Sequence, residues 1–174
     1  MELVCPAGSL PALKAAVRQG ADALGGLDVL LNGVGINRRK PMEEVTPEDF
    51  DAIVSVNLRA IYFASQAAHA IMRDQGKGCI VNLSSLSARF SFNTISVYAA
   101  TKAGVTSLTR SCAREWAADG IRVNAIEPFV IKTEFTKPLW GEDHRQRWFD
   151  HITPVGRLGA PEDLVGSVIY LASD

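Results

Sequence analysis

The sequence predicts an α/β fold, a parallel sheet covered by helices on both faces, and three observations predict it. The apolar runs LDVLLNGVG (27–35), CIVNL (79–83) and IRVNAIEP (121–128) are continuous rather than alternating, the pattern of strands buried on both sides. Between them lie long stretches with apolar residues three and four apart, the period of helices. Strands alternating with helices of this length join by right-handed crossovers within one parallel sheet.

Residues 1–26 read as a short strand, a turn at Pro6–Gly8 and a helix that Ser9 caps and Gly20 stops. LDVLLNGVG is expected to be a central strand ending in an Asn-Gly turn. The loop INRRKPMEEVT is polar, and Thr46, Pro47, Glu48 and Asp49 form a helix start with Pro in the first turn and acidic residues beside it. The helix runs from about Pro47 to Arg73, carrying Ile53, Val56, Asn57, Ala60, Ile61, Ala64 and Ala68 on its spacing, and Gly76 with Gly78 ends it. After CIVNL comes a serine-rich turn, then a helix over Val97–Ala118 whose Ala99, Ala100, Ala103 and Gly104 admit a close neighbour. IRVNAIEP is a third strand, stopped by Pro128. A helical segment around Thr133–Phe149, the turn PVGRLGAP and a helix from Pro161 to about Leu171 complete the chain. No repeat or low-complexity linker interrupts it.

Composition narrows the function classes. A chain of 174 residues with 47% hydrophobic and 21% charged residues reads as one globular domain with a real core. A net charge of −1 supplies no basic field for nucleic acid. Cys5, Cys79 and Cys112 are odd in number and far apart, so neither a disulfide framework nor a zinc site is expected, and a reducing, cytoplasmic setting fits. His69, His144 and His151 lack partners at ligand spacing, so no metal is expected. No apolar run reaches membrane-spanning length, and Glu2 followed by a Pro-Gly interruption argues against a leader.

The chemistry concentrates in Cys79–Lys102, CIVNLSSLSARFSFNTISVYAATK. Tyr98 and Lys102 stand one helical turn apart, so phenol and ammonium share a face and can act on one bound molecule. Asn57 lies 28 residues before Ser85, which lies 13 before Tyr98. With Asn32-Gly33-Val34-Gly35 after the first long strand, Ser84-Ser85 after the second and the Asn124–Thr133 run after the third, these elements in order resemble the short-chain dehydrogenase/reductase family over Leu27–Asp174. A lone YxxxK is weak evidence, but the full series at the right strand and helix ends is specific.

The resemblance implies a Rossmann-like three-layer sandwich, here incomplete, and NAD(P)-dependent interconversion of an alcohol and a ketone. It implies catalytic roles for Asn57, Ser85, Tyr98 and Lys102, with Asn57 holding a water that relays the proton. It implies cofactor contacts from Asn32, Gly33, Gly35, Tyr98, Lys102, Pro128, Ile131 and Thr133, with NAD or NADP as the cofactor. Physical chemistry agrees on roles: a tyrosine with an ordinary pKa near ~10 needs neighbouring positive charge to work as an acid/base, which Lys102 is placed to give. The Ser85 hydroxyl can donate to a carbonyl as charge develops on it. Ser84 reads as a turn residue, and Glu134 as solvated. The stretches Gly35–Pro41 and Thr153–Arg157 resemble the gluconate 5-dehydrogenase-like branch, where Arg38 or Arg39 would suit a sugar-acid carboxylate, against the alternative of a solvated loop. Homo-oligomers through the helices 47–73 and 97–118 follow by the same resemblance.

The chain also departs from that family. No TGxxxGxG turn is present, since Gly8, Gly20, Gly25 and Gly26 lack the spacing, and Phe129 stands where glycine is usual after Pro128. Residues 1–26 resemble instead the opening of the collagenase-like peptidase family, leaving either a generic βα edge unit or a fusion of foreign sequence; no catalytic residues of that family lie there. LASD precedes the point where a final strand would follow. Two functional readings are therefore open: an oxidoreductase, or a truncated or chimeric remnant serving only as a folding or oligomerisation module. A sheet edge left unpaired would be covered by the N-terminal strand or by a partner chain.

Overall fold

The computed structural model describes residues 9–90 and 92–173. The chain divides into two compact units, Met1–Glu127 and Pro128–Asp174. In the first, the order is α1 (Leu10–Leu24), β1 (Val29–Asn32), α2 (Pro47–Val54), a π-helical turn (Ser55–Arg59), α3 (Ala60–Gln75), β2 (Gly78–Leu83), α4 (Ser96–Trp116) and β3 (Ile121–Ile126). The strands form a parallel sheet in the order β1-β2-β3, with Val29 opposite Cys79 and Gly78 opposite Ile121.

Ser9 caps α1, its Oγ accepting from the Ala12 N–H at 3.3 Å. The helix does not stop at Gly20. That residue is buried, and seating Val17 and Ala21 in the core outweighs the cost of about 1 kcal/mol that one helical glycine carries. The stop is Gly25, in the left-handed region at φ 75°. The strand expected before it lies outside the described residues. At the other end of the same βα unit, the Gln75 side chain stands in for a strand partner: its Oε1 accepts from the Leu27 N–H at 2.8 Å and its Nε2 donates to the Leu27 carbonyl at 3.1 Å.

Thr46 and Asp49 close a capping box, with Pro47 in the first turn, as their residue types foretold. The helix expected over 47–73 reaches Gln75 and contains the π-turn Ser55–Arg59, which brings fully buried Asn57 into line. Gly76 ends it at φ 73°. Gly104 of α4 is the close-approach point anticipated from small residues, facing the Leu58 side chain.

The described residues sharpen two expectations about the sheet. Among the described residues β2 has a neighbour on each side and β1 is an edge strand with Val29 and Leu31 exposed. Among the described residues, the helices of this unit lie on one face of the sheet. Asn32 donates to Ser65 of α3, Asn82 donates to Thr109 of α4, and Val17 and Ala21 of α1 join Ile80, Ile121 and Val123 in one core. Consecutive crossovers that step in one direction across a parallel sheet put their helices on the same side. The N-terminal strand expected to cover an open edge falls outside the described residues.

In the second unit the helical segment expected over 133–149 is broken. A 3₁₀ turn, Glu134–Thr136, leads into α5 (Lys137–Trp140), and α6 (Asp143–Ile152) starts after Gly141. Ile131 bridges to Gly159, with the Lys132 N–H donating to the Gly159 carbonyl at 2.8 Å. α7 (Glu162–Ala172) begins one residue after Pro161, and Asp163 in its first turn pairs with Arg157 at 2.7 Å and accepts from the Ala160 N–H at 2.8 Å.

Candidate active site

The carboxyl ends of β1 and β2 and the first turns of α4 converge in the first unit, the edge at which an open α/β sheet binds its ligand. Asn57 organises one wall. Its Oδ1 accepts from the Ile36 N–H at 2.8 Å, while its Nδ2 donates to the Ile36 carbonyl at 2.9 Å and to Thr101 Oγ1 at 3.3 Å. The π-turn is what aims this amide at the loop after β1, and such turns recur at functional sites. A Cβ added to Gly35 would stand 3.5 Å from Lys102 Nζ and 3.7 Å from Asn57 Oδ1, so the glycine turn passes directly beside both.

Ser85 follows β2 with an extended backbone and opens the 3₁₀ turn Leu86–Ala88. Its Oγ accepts from the Ser87 N–H at 3.2 Å and from the Ser87 hydroxyl at 3.0 Å. Two donors on its lone pairs leave its own proton for another acceptor, and that acceptor is the Tyr98 oxygen. Ser84 is the structural member of the pair, as its position suggested: buried, it donates to the Lys102 carbonyl and lies 2.9 Å from Thr106 Oγ1.

Lys102 is 3% exposed, and its Nζ sits 5.7 Å from the centroid of the Tyr98 ring. It donates to the Leu83 carbonyl at 2.7 Å, and burial lowers its pKa to about 8. Two of its three N–H donors carry no acceptor among the described residues, which suits a ligand with paired hydroxyls. The expectation that Lys102 would pull the Tyr98 pKa down needs revision. In the chain by itself burial raises that pKa, and the opposing influences are the Ser85 hydroxyl and the charge of Arg39. A buried phenol keeps its proton unless positive charge is close, and the cation acting here comes from the loop after β1.

That loop sorts its three cations. Asp49, with its side chain 7% exposed, accepts from Arg38 at 2.9 Å and from Lys40 at 2.5 Å, and these partners hold its carboxyl far below the ordinary range. Arg39 makes no ion pair among the described residues and bears on Tyr98 instead. Thr94, a β-branched residue at φ 66°, accepts from the Lys40 N–H at 3.1 Å and ties this loop to the segment entering α4. Reading residues in isolation missed Asp49 as a charge-sorting group and Ser87 as the donor to Ser85. The capping-box position of Asp49 after a run of basic residues was the available signal; for Ser87 it was the Ser-x-Ser spacing.

Asn32 is buried and donates to Ser65 at 3.2 Å and to Asn82 at 2.8 Å, so its amide is committed to the interior. Gly33 is exposed beside it. Pro128, Ile131 and Thr133 belong to the second unit, where Ile131 forms the bridge to Gly159 and Thr133 caps the turn Glu134–Thr136. His69 pairs with Asp119 at 2.7 Å and stacks on Trp116, away from this constellation, and no group of three metal-ligating side chains occurs among the described residues. No helix among them is long and apolar enough to cross a membrane.

The chain resembles known proteins. The chain is 37% identical over 150 residues to a gluconate 5-dehydrogenase of Gluconobacter oxydans, covering 86% of this chain and 59% of that one. It is 35% identical over 161 residues to a 5-keto-D-gluconate 5-reductase of Escherichia coli, covering 92% of this chain and 63% of the relative. The crystal structure of a gluconate 5-dehydrogenase from Burkholderia cenocepacia, in complex with NADP and tartrate, superposes with a TM-score of 0.92 at 34% identity, over 96% of this chain and 66% of that one. The chain thus spans about six-tenths of the length of the curated relatives it matches. Residues 3–174 match the family model described as Enoyl-(Acyl carrier protein) reductase, and with the geometry around Tyr98 this places the chain in that family of short-chain dehydrogenases/reductases.

Proposed function

We propose that the chain carries the proton-transfer site of an NAD(P)-dependent oxidoreductase that interconverts an alcohol and a ketone, with a sugar acid as the substrate class. The observation that carries this reading is a buried Lys102 with donors to spare, its Nζ 5.7 Å from the ring of Tyr98, whose phenol the Ser85 hydroxyl bonds. When bound, the nicotinamide supplies the hydride acceptor or donor. Lys102 would hold its ribose hydroxyls, Gly33 and Gly35 would let the backbone approach it closely, and Pro128, Ile131 and Thr133 would receive its nicotinamide end. Asn32 would serve by bracing the turn that precedes them.

In reduction, Tyr98 gives its proton to the substrate oxygen, and in oxidation its phenolate takes the proton of the alcohol. With substrate bound, the Ser85 hydroxyl would turn its proton from Tyr98 to the same oxygen and stabilise the charge developing there. Asn57 holds the Gly35–Ile36 turn against Lys102 and would anchor the water that refills the proton. Arg39, left unpaired by the claim of Asp49 on Arg38 and Lys40, would receive the carboxylate. Support for the substrate class comes from relatives whose names specify gluconate or 5-keto-D-gluconate.

Titration with NADH and NADPH, followed by cofactor fluorescence, tests the reading: binding of one of them below millimolar concentration is expected, and binding of neither refutes it. Tyr98→Phe should abolish turnover of 5-keto-D-gluconate while leaving the circular dichroism spectrum unchanged, and surviving turnover overturns the assignment.

We also propose self-association through the helices 47–73 and 97–118, supported by exposed Phe50 and Tyr62 on α2 and α3. Residues 1–26 we read as a βα edge unit, either generic or joined from foreign sequence, the latter resting on its Pro-Ala-Gly-Ser pattern alone. The cysteine usage supports a cytoplasmic setting.

A further inference from the structure

We propose that Glu127 is a positioning residue, clamping the Ser85 turn to α4 through Arg89 and Thr106. This rests on the reading of Ser85 and Tyr98 given above. Glu127 is the last residue of the first unit, one position past β3 and directly before Pro128. Its Oε1 accepts from Thr106 Oγ1 at 2.7 Å, and its Oε2 accepts from Arg89 Nε. Thr106 lies one turn beyond Lys102 on α4, and Arg89 directly follows the 3₁₀ turn that Ser85 opens. One carboxylate therefore ties together the end of β3, the helix bearing Tyr98 and Lys102, and the turn bearing Ser85.

The other ends of these ties are fixed as well. Thr106 Oγ1 is 2.9 Å from Ser84 Oγ, and Ser84 donates to the Lys102 carbonyl, so the clamp meets the helix at the residue before Ser85. The Arg89 N–H donates to the Leu86 carbonyl at 3.0 Å, which closes the turn, while Ser87 inside it makes both bonds to Ser85 Oγ. Partial burial alone would raise the Glu127 pKa, but Arg89 and Thr106 outweigh it and hold the carboxylate ionised. The side chain of Glu127 is 16% exposed against 64% for Arg89, so the anion is held in place and the arginine is drawn to it. Without the clamp, the turn would keep its internal bonds but lose its register against α4, and with it the aim of the Ser85 proton at Tyr98.

The test uses Glu127→Gln, Arg89→Ala and the double variant of the full chain. Amide exchange at Leu86–Phe90 should quicken roughly fivefold in each single variant and no further in the double, as expected when one partly exposed ion pair is broken by either change. The Tyr98 titration, read as phenolate absorbance relative to Tyr98→Phe, should move up in both variants. With NADPH and 5-keto-D-gluconate, kcat should fall by a similar factor while NADPH affinity holds. Unchanged exchange in the turn, or single effects that multiply in the double variant, would overturn the clamp. An unmoved Tyr98 titration would overturn the positioning role. A chain that binds no NADPH would refute the oxidoreductase reading, while the exchange and titration measurements would still decide this one.

Discussion

Tyr98 illustrates how a side chain of ordinary chemistry is set by its neighbours. Burial pushes its pKa upward, and Ser85 with Arg39 pulls the other way. Removing Arg39 should therefore shift the ascending limb of the pH profile of alcohol oxidation to higher pH and raise KM for a hexonate. Arg38→Ala should leave both near their starting values, because Arg38 is spent on Asp49. Equal pH–rate profiles for the two variants would count against this division of labour. Lys102 offers a second measurement. Its folded pKa is about 8 against 10.5 when unhindered, so the native state binds that proton less tightly than the unfolded chain. The penalty for burying the charge is present at neutral pH, and stability recovers as pH rises from about 8 to about 10.5, where only the unfolded chain remains protonated. The stability of Lys102→Met relative to the parent should accordingly fall by on the order of 3 kcal/mol between pH 7 and pH 10.5 in chemical denaturation. A difference independent of pH would show that the ammonium is not held in a low-dielectric setting.

At the scale of elements, the turns carry the precision. Gly120 joins α4 to β3 at φ 73°, and a Cβ there would meet the Gly76 carbonyl oxygen at 2.4 Å. Backbone strain and a clash against main chain cannot both be relieved locally, so Gly120→Ala should cost about 2 kcal/mol or more in thermal or denaturant unfolding. Gly76→Ala shares the left-handed backbone but opens into free space, so its cost should be smaller. The helix starts were legible because their signals are local: Thr46 and Asp49 need only each other, and Ser9 needs only Ala12. The end of α1 was not, because Gly20 is a helix breaker by propensity and stays helical only through the packing of Val17 and Ala21. The π-turn at Ser55–Arg59 escaped for the same kind of reason. Nothing in SVNLR marks it, and it exists where Asn57 must reach Ile36.

For the molecule as a whole, the two units differ in how much they bury. α3 and α4 of the first unit contribute a continuous set of buried residues, whereas among the described residues α7 has none and Val165, Ile169 and Tyr170 on it are exposed. Local stability follows buried apolar contact, so amides of residues 162–172 should exchange at least tenfold faster than those of α3 and α4. Equal protection would mean that α7 is covered in solution.

Sequence by itself determined the parallel αβ alternation and the strand cores and made Asn57, Ser85, Tyr98 and Lys102 candidates, because periodicity, caps and motif spacing are properties of neighbours along the chain. Tertiary structure alone decided which described strand has a neighbour on each side, which face the helices pack on, which cations Asp49 holds and which acceptor Lys102 reaches. Those outcomes depend on contacts between residues far apart in sequence, such as Arg38 with Asp49 across a loop and Arg89 with Glu127 across two strands. No local pattern encodes which of three adjacent cations a buried carboxylate will claim; competition for one low-solvent site does.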